Sequence, residues 1–112
     1  MIRYIPSFLL MLTFAVAASA QSNTTVTLMG TAMDSIGSLI PNVMIKAKST
    51  TGKSFEVTSG SDGGYQLELP PEIYKLTFSK RGFEDLVIVR YQIAAQQKHM
   101  YLDISLICIS CE

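Results

Sequence analysis

Ser59-Gly60-Ser61-Asp62-Gly63-Gly64-Tyr65-Gln66-Leu67-Glu68-Leu69-Pro70-Pro71-Glu72-Ile73-Tyr74-Lys75-Leu76-Thr77-Phe78 reads as a turn, a short strand, a corner and a second strand. Asp62, Gly63 and Gly64 supply the positive φ angles of a tight turn. Tyr65, Leu67 and Leu69 then fall on one face of an extended chain, with Gln66 and Glu68 on the other. Pro70 and Pro71 donate no ladder hydrogen bond, so pairing stops and the chain turns. Tyr74, Leu76 and Phe78 resume the apolar face. A period of two on both sides of a corner predicts β structure.

The same period extends outward in both directions. Val26, Leu28, Gly30 and Ala32 alternate with threonines and methionines as a first strand, and a glycine inside a strand marks a bulge or a close backbone approach. Residues 34–38 are turn chemistry, and Asn42 suits a left-handed conformation. Val43, Ile45 and Ala47 face inward on a second strand, and Phe55 and Val57 on a third. Arg81-Gly82 turns the chain into a sixth strand from Phe83 to Tyr91. Leu86-Val87-Ile88-Val89 within it is continuously apolar, which fits burial on both faces or a bulge. Residues 92–98 form a polar connection with room for a helical turn. Met100, Leu102, Ile104 and Leu106 mark a seventh strand. Seven short strands with turn signals between them predict an all-β, antiparallel Greek-key β-sandwich. Tyr74, just past the proline corner, is placed to return its hydroxyl to the backbone.

The 112 residues suffice for one domain. Arg3, the apolar run 8–17 and the small residues Ala18-Ser19-Ala20 have the three-part pattern of a secretory signal, with cleavage expected before Gln21. A transmembrane anchor fits less well, because the run falls short of the roughly 20 residues that span a bilayer. The reading divides the chain into a signal peptide (1–20), a polar lead (21–25), the sandwich (26–107) and a cysteine-containing tail (108–112). Without residues 1–20 there remain eight Lys and Arg against nine Asp and Glu, a net charge near −1. No basic excess is present for nucleic acid. An exported protein is expected, periplasmic, outer-membrane-associated or secreted, with no stable membrane span after cleavage.

Several pieces in order resemble the carboxypeptidase regulatory-like domain family. Residues 30–43, with Gly30, Asp34, Gly37 and Pro41, are similar to its opening signature. Asp62, Gly63 and Tyr65, followed by Pro70, Pro71 and Tyr74, are similar to its second. Gly82-Phe83 matches a third piece, and residues 102–106 resemble its final strand. Asn42 and Glu72 stand where that family usually carries Gly, and a Glu there implies a different turn after Pro71. The resemblance implies a transthyretin-like sandwich that is not catalytic and carries no cofactor. It also implies a binding, adhesive or folding module outside the cytoplasm, with an unidentified protein or glycan of the cell envelope as its partner. Self-association through edge strands or the C-terminal cysteines is the alternative, and a small transthyretin-like enzyme or metal-binding protein is a second. Loops 34–42, 50–53, 60–64 and 92–98 are the expected recognition surface.

Enzymes of related folds need groups that this chain has in short supply. Hydroxyisourate hydrolases use several His and Arg residues and end Tyr-Arg-Gly-Ser, whereas this chain has one histidine, His99, and ends Ile109-Ser110-Cys111-Glu112. Intradiol dioxygenases hold iron with two Tyr and two His. No Ser-His-Asp arrangement is evident. Cys108 and Cys111, the two cysteines, have the spacing of half a zinc site or a redox pair. They also suit a disulfide, local or intermolecular, or two free thiols. Residues three apart on a strand lie about 10 Å apart, beyond the roughly 7 Å that a disulfide permits. A local bridge therefore requires the strand to end by Ile107.

Overall fold

A computed structural model describes residues 24–110. The expected signal peptide, the start of the polar lead, Cys111 and Glu112 lie outside the described residues. Among the described residues there are eight strands: β1 (Val26–Asp34), β2 (Met44–Ser49), β3 (Ser54–Thr58), β4 (Gly64–Leu69), β5 (Ile73–Ser79), β6 (Leu86–Gln92), β7 (His99–Tyr101) and β8 (Ile104–Leu106). They form two sheets. One has the order β4-β1-β7, with β8 also paired to β1, and the other has the order β3-β2-β5-β6.

The period-two reading of the core holds for most inward positions, with Phe55, Val57, Met100 and Leu102 half-buried against it. Ile45, Ala47, Leu67, Leu69, Tyr74, Leu76 and Phe78 are all buried, together with Val26, Leu28 and Ala32 of β1. Tyr65 meets Phe78 edge-on at 5.7 Å between ring centroids, and Phe55 meets Tyr74 likewise at 6.1 Å. Aromatic rings prefer this tilted contact because the positive edge of one faces the negative face of the other.

The structure departs from the sequence reading in four places. First, the expected seventh strand is two strands, interrupted at Leu102-Asp103, so there are eight. Second, this last segment pairs with β1 in parallel, with Thr27 opposite His99 and Ala32 opposite Ile104, so the sandwich is not wholly antiparallel. The registers place the end of β6 and the start of β1 at the same end of the sandwich. The chain crosses between sheets there and must run alongside β1 in the same direction.

Third, the apolar run of β6 is not buried on both faces. Val87 is 45% and Val89 64% exposed, because β6 is the outer strand of its sheet. Its register shifts opposite Lys75, where Arg90 adopts a φ of 62°, so a bulge explains the pattern. The strand begins only at Leu86. Phe83, expected to open it, instead bridges Cys108. Fourth, residues 93–98 contain a hydrogen-bonded turn between Ala94 and Gln97 and no helix. Their first residue, Ile93, is fully buried, since it closes the end of the core.

Candidate functional site

The signature residues are placed by backbone chemistry. Asp34 accepts hydrogen bonds from the amides of Ile36 and Ser38 through Oδ1, at 3.0 and 2.8 Å, and Gly37 takes a φ of 91°. Asp62 does the same for the Gly64 amide at 2.9 Å. Gly63, at φ 79°, leaves no room for a side chain, since a Cβ there would lie 2.8 Å from the Ala32 carbonyl oxygen. Tyr74, wholly buried, donates its hydroxyl to the Pro70 carbonyl at 2.6 Å, tying the strand to its corner. Burial pushes its phenol up to about 12.

Glu72 has a local role of its own. Its carboxylate accepts from the Thr51 hydroxyl at 2.7 Å and pairs with Lys53 at 3.1 Å. These two partners, the hydroxyl first, hold its pKa below the usual carboxylate range. Its residue does not need the positive φ that Gly would supply, and the side chain instead ties the β2–β3 turn to the proline corner.

Gly30 lies at the centre of the first sheet. It pairs with Tyr65 of β4, and an added Cβ would fall inside the Leu102 carbonyl oxygen and 2.6 Å from its carbonyl carbon. The Tyr65 hydroxyl donates to that same oxygen, so the tyrosine spans β1 at the one position without a side chain. Leu102 returns its amide to Met29 at 2.9 Å. Asp103 Oδ1 then accepts from both the amide and the hydroxyl of Thr31, at 2.9 and 3.1 Å. A carboxylate thus replaces a strand carbonyl, which is why the ladder breaks between β7 and β8. Burial first, then the nearby Tyr91 and Asp103, drive the Tyr65 phenol well above its ordinary value.

On the outer face of this sheet lies an open groove of about 550 Å³. Met29, Thr31, Gln66, Tyr101, Asp62 and Asp103 line it. Tyr101 is 72% exposed, an aromatic face turned to solvent. Both carboxylates are oriented by Oδ1 bonds to backbone amides, and among the described residues no bond engages either Oδ2. The groove therefore places an exposed aromatic ring beside two backbone-oriented carboxylates.

The four loops nominated from the sequence do not form one surface. Strand registers put residues 34–42 and 60–64 at one end of the sandwich and residues 50–53 and 92–98 at the other. Only the 60–64 loop reaches the groove, through Asp62. Tyr101, Gln66 and Met29 carried no functional reading, although the alternation had already set Tyr101 opposite the core-facing residues of its strand.

The tail packs against the β5–β6 loop. Ile109 donates its amide to Gly82 and Glu84 donates to Ile107, at 2.9 and 2.8 Å. A bridge between Cys108 and Cys111 involves a residue outside the described ones. Among the described residues, no three His, Cys, Asp or Glu side chains gather closely enough to hold a metal ion. His99 is exposed on β7.

Solved structures confirm the fold. The chain is similar to 3-chlorocatechol 1,2-dioxygenase from Rhodococcus opacus 1CP, with a TM-score of 0.65 and 11% identity over 82% of this chain and 63% of that one. Chlorocatechol 1,2-dioxygenase from Pseudomonas putida gives 0.64 and 12% over 80% and 63%. The chain thus spans less than two thirds of these dioxygenases. The Bacillus anthracis TIE protein is similar over 95% of this chain and 20% of that one, with a TM-score of 0.61 and 16% identity. A comparison with curated protein sequences returned no match. The profile described as Carboxypeptidase regulatory-like domain matches residues 27–106, nearly the whole described sandwich. With the Gly30 crossing, the Asp34 and Asp62 turns and the Tyr74 corner in place, the chain belongs to the carboxypeptidase regulatory-like domain family.

Proposed function

We propose that the protein is a non-catalytic, exported binding module that takes a short, hydroxyl-rich glycan in the groove on the β4-β1-β7 face. The observation that carries this reading is Tyr101, exposed beside Gln66 and two carboxylates already oriented by the backbone. A sugar ring stacks its C–H face on an aromatic ring, and fixed carboxylates accept from its hydroxyls without reorganising. Tyr101 and Gln66 stand on strands, and the two carboxylates beside them are held by backbone amides, so the groups are positioned before a ligand arrives. A glycan array with the purified chain, followed by titration calorimetry on the best ligand, tests it. Tyr101→Ala is expected to weaken binding at least ten-fold while leaving the melting temperature within a degree or two. An array blank at micromolar protein, or binding unchanged in Tyr101→Ala, overturns the reading.

A second reading, self-association at the tail, is favoured by Ile107 and Ile109, which are 59% and 67% exposed on either side of Cys108. Light scattering and non-reducing gels showing a strict monomer remove it.

A further inference from the structure

Charge in this protein is divided by sheet. The strands β1, β4, β7 and β8 carry no Lys or Arg. The opposite sheet carries Lys46, Lys48, Lys75 and Arg90 against the single carboxylate Glu56. All four cations are exposed. Lys48 and Lys75 are direct cross-strand partners, and like charges so placed repel. The bulge of β6 falls opposite Lys75 and adds Arg90 to the row, at a φ of 62° that a non-glycine residue rarely adopts. A bulge re-aims a side chain, and here it brings a third cation to an already repulsive pair. Among the described residues none of the four has an ion-pair partner, since the one ion pair is Lys53 with Glu72.

The face is not flat. Two adjoining depressions, of about 360 and 380 Å³, share Lys48 and Lys75. Hydroxyls of Ser54, Thr77 and Thr50 and the apolar side chains of Phe55 and Val89 also line them, with Glu56 opposite Lys46 at the far side from Arg90. Strands in a sheet lie about 4.8 Å apart, close to the length of one pyranose unit along a polymer. Lys48, Lys75 and Arg90 follow one another across β2, β5 and β6 at that spacing, with Lys46 two residues along β2. Hydroxyls of Ser54 and Thr77 lie opposite the β2 lysines, and the whole matches a linear chain bearing one carboxylate per sugar.

We propose that the β3-β2-β5-β6 face binds an acidic polysaccharide, a polyuronate, along the row Lys46, Lys48, Lys75 and Arg90. Two other anionic occupants fit less well. Against a bilayer, the exposed apolar side chains of this sheet are limited to Met44, Val87 and Val89, while Ile36, Leu39, Ile107 and Ile109 belong to the loop and tail at one end of the sandwich. A second copy would have to offer its own acidic sheet. There Asp34 and Glu68 sit at opposite ends of the strands and do not match cations set side by side.

The test is calorimetric titration of the full chain with polygalacturonate, with neutral dextran and phosphatidylglycerol vesicles as further arms. Polygalacturonate is expected to bind, and to weaken steeply as salt rises from 50 to 200 mM. Lys48→Gln with Lys75→Gln should weaken it at least ten-fold, and Lys46→Gln alone about three-fold. Lys80→Gln with Lys98→Gln removes the same charge elsewhere and should change it less than two-fold. Relief of the Lys48–Lys75 repulsion should leave the melting temperature of the first pair equal to or above that of the parent. No binding of polygalacturonate overturns the proposal, as does an equal loss in both double variants. Stronger binding to the vesicles, or salt-sensitive self-association abolished by the first pair, assigns the face to a membrane or a second copy instead. The groove on the other sheet plays no part, so failure here leaves the glycan reading above intact.

Discussion

Gly30→Ala sets two physical expectations against each other. A glycine in a strand interior is destabilising by roughly 0.5–1 kcal/mol relative to alanine, so propensity alone predicts a gain. Geometry predicts a loss, because the new Cβ would occupy the position of the Leu102 carbonyl and approach Asp103 Oδ1 to 3.1 Å. Leu102 and Asp103 must move away, and three interactions go with them: Leu102 to Met29, Tyr65 to Leu102, and the Asp103 carboxylate to Thr31. Two neutral hydrogen bonds at ~1 kcal/mol each, and the two Thr31 bonds to one exposed carboxylate oxygen taken together as a single charged contact of ~1.5–3, give a loss of about 3–5 kcal/mol. That is a large part of the total stability of such a domain, ~5–15 kcal/mol. In urea, with a slope of ~1.5 kcal/mol/M, the midpoint should fall by about 2–3 M. Gly52→Ala is the comparison, since it has φ 97° and nothing within 4 Å of its added Cβ. It should cost only ~1–2 kcal/mol for the left-handed backbone. Tyr65→Phe should cost less in the Gly30→Ala background than in the parent, because the bond it removes is already broken. A midpoint for Gly30→Ala within 0.5 M of the parent (~0.75 kcal/mol at that slope), or full additivity with Tyr65→Phe, would refute the crossing as the reason for the glycine.

Three further outcomes are expected. Tyr74→Phe keeps the buried ring but orphans the Pro70 carbonyl, so it should lower unfolding free energy by ~1–2 kcal/mol in urea titration. Glu72, with its pKa lowered in the folded state, contributes stability that is fully present above the ordinary glutamate value of ~4.3 and is lost as pH falls through the folded value. Melting temperature should therefore fall less steeply below pH 5 in Glu72→Gln than in the parent, and identical acid slopes would contradict the Thr51 and Lys53 assignment. The raised phenols of Tyr65, Tyr74 and Tyr91 act in the opposite direction. Their stabilisation is present below the ordinary tyrosine value of ~10 and is lost as pH rises above it. Absorbance at the phenolate band should show these three tyrosines ionising together with unfolding, and early ionisation of all five would count against their burial.

Much of the sandwich was legible because a strand half-buried against a core repeats every two residues. Tyr65, Leu67 and Leu69, then Tyr74, Leu76 and Phe78, follow from that period alone, and the two prolines between them show where pairing must stop. Burial of Ile93 was not legible, since one apolar residue in a polar connection has no period to reveal it. The groove was hidden for a related reason. Alternation says that Met29, Gln66 and Tyr101 face outward, but not that they come from adjacent strands. Loops were the natural candidates from sequence, because turn residues are visible there as a class. Pairing registers then divided those loops between the two ends.

Local pattern was enough for the first five strands, their inward faces, the turns at Asp34 and Asp62 and the family, since each rests on neighbours within a few positions along the chain. Only the tertiary structure decided which strands lie side by side. That pairing explains why Gly30 must be a glycine, why the last strand breaks at Asp103 and runs parallel to β1, and why the cations of the strands gather on one sheet. The contacts involved join residues about seventy positions apart, and their energy depends on the distance between atoms across strands, which local pattern does not carry.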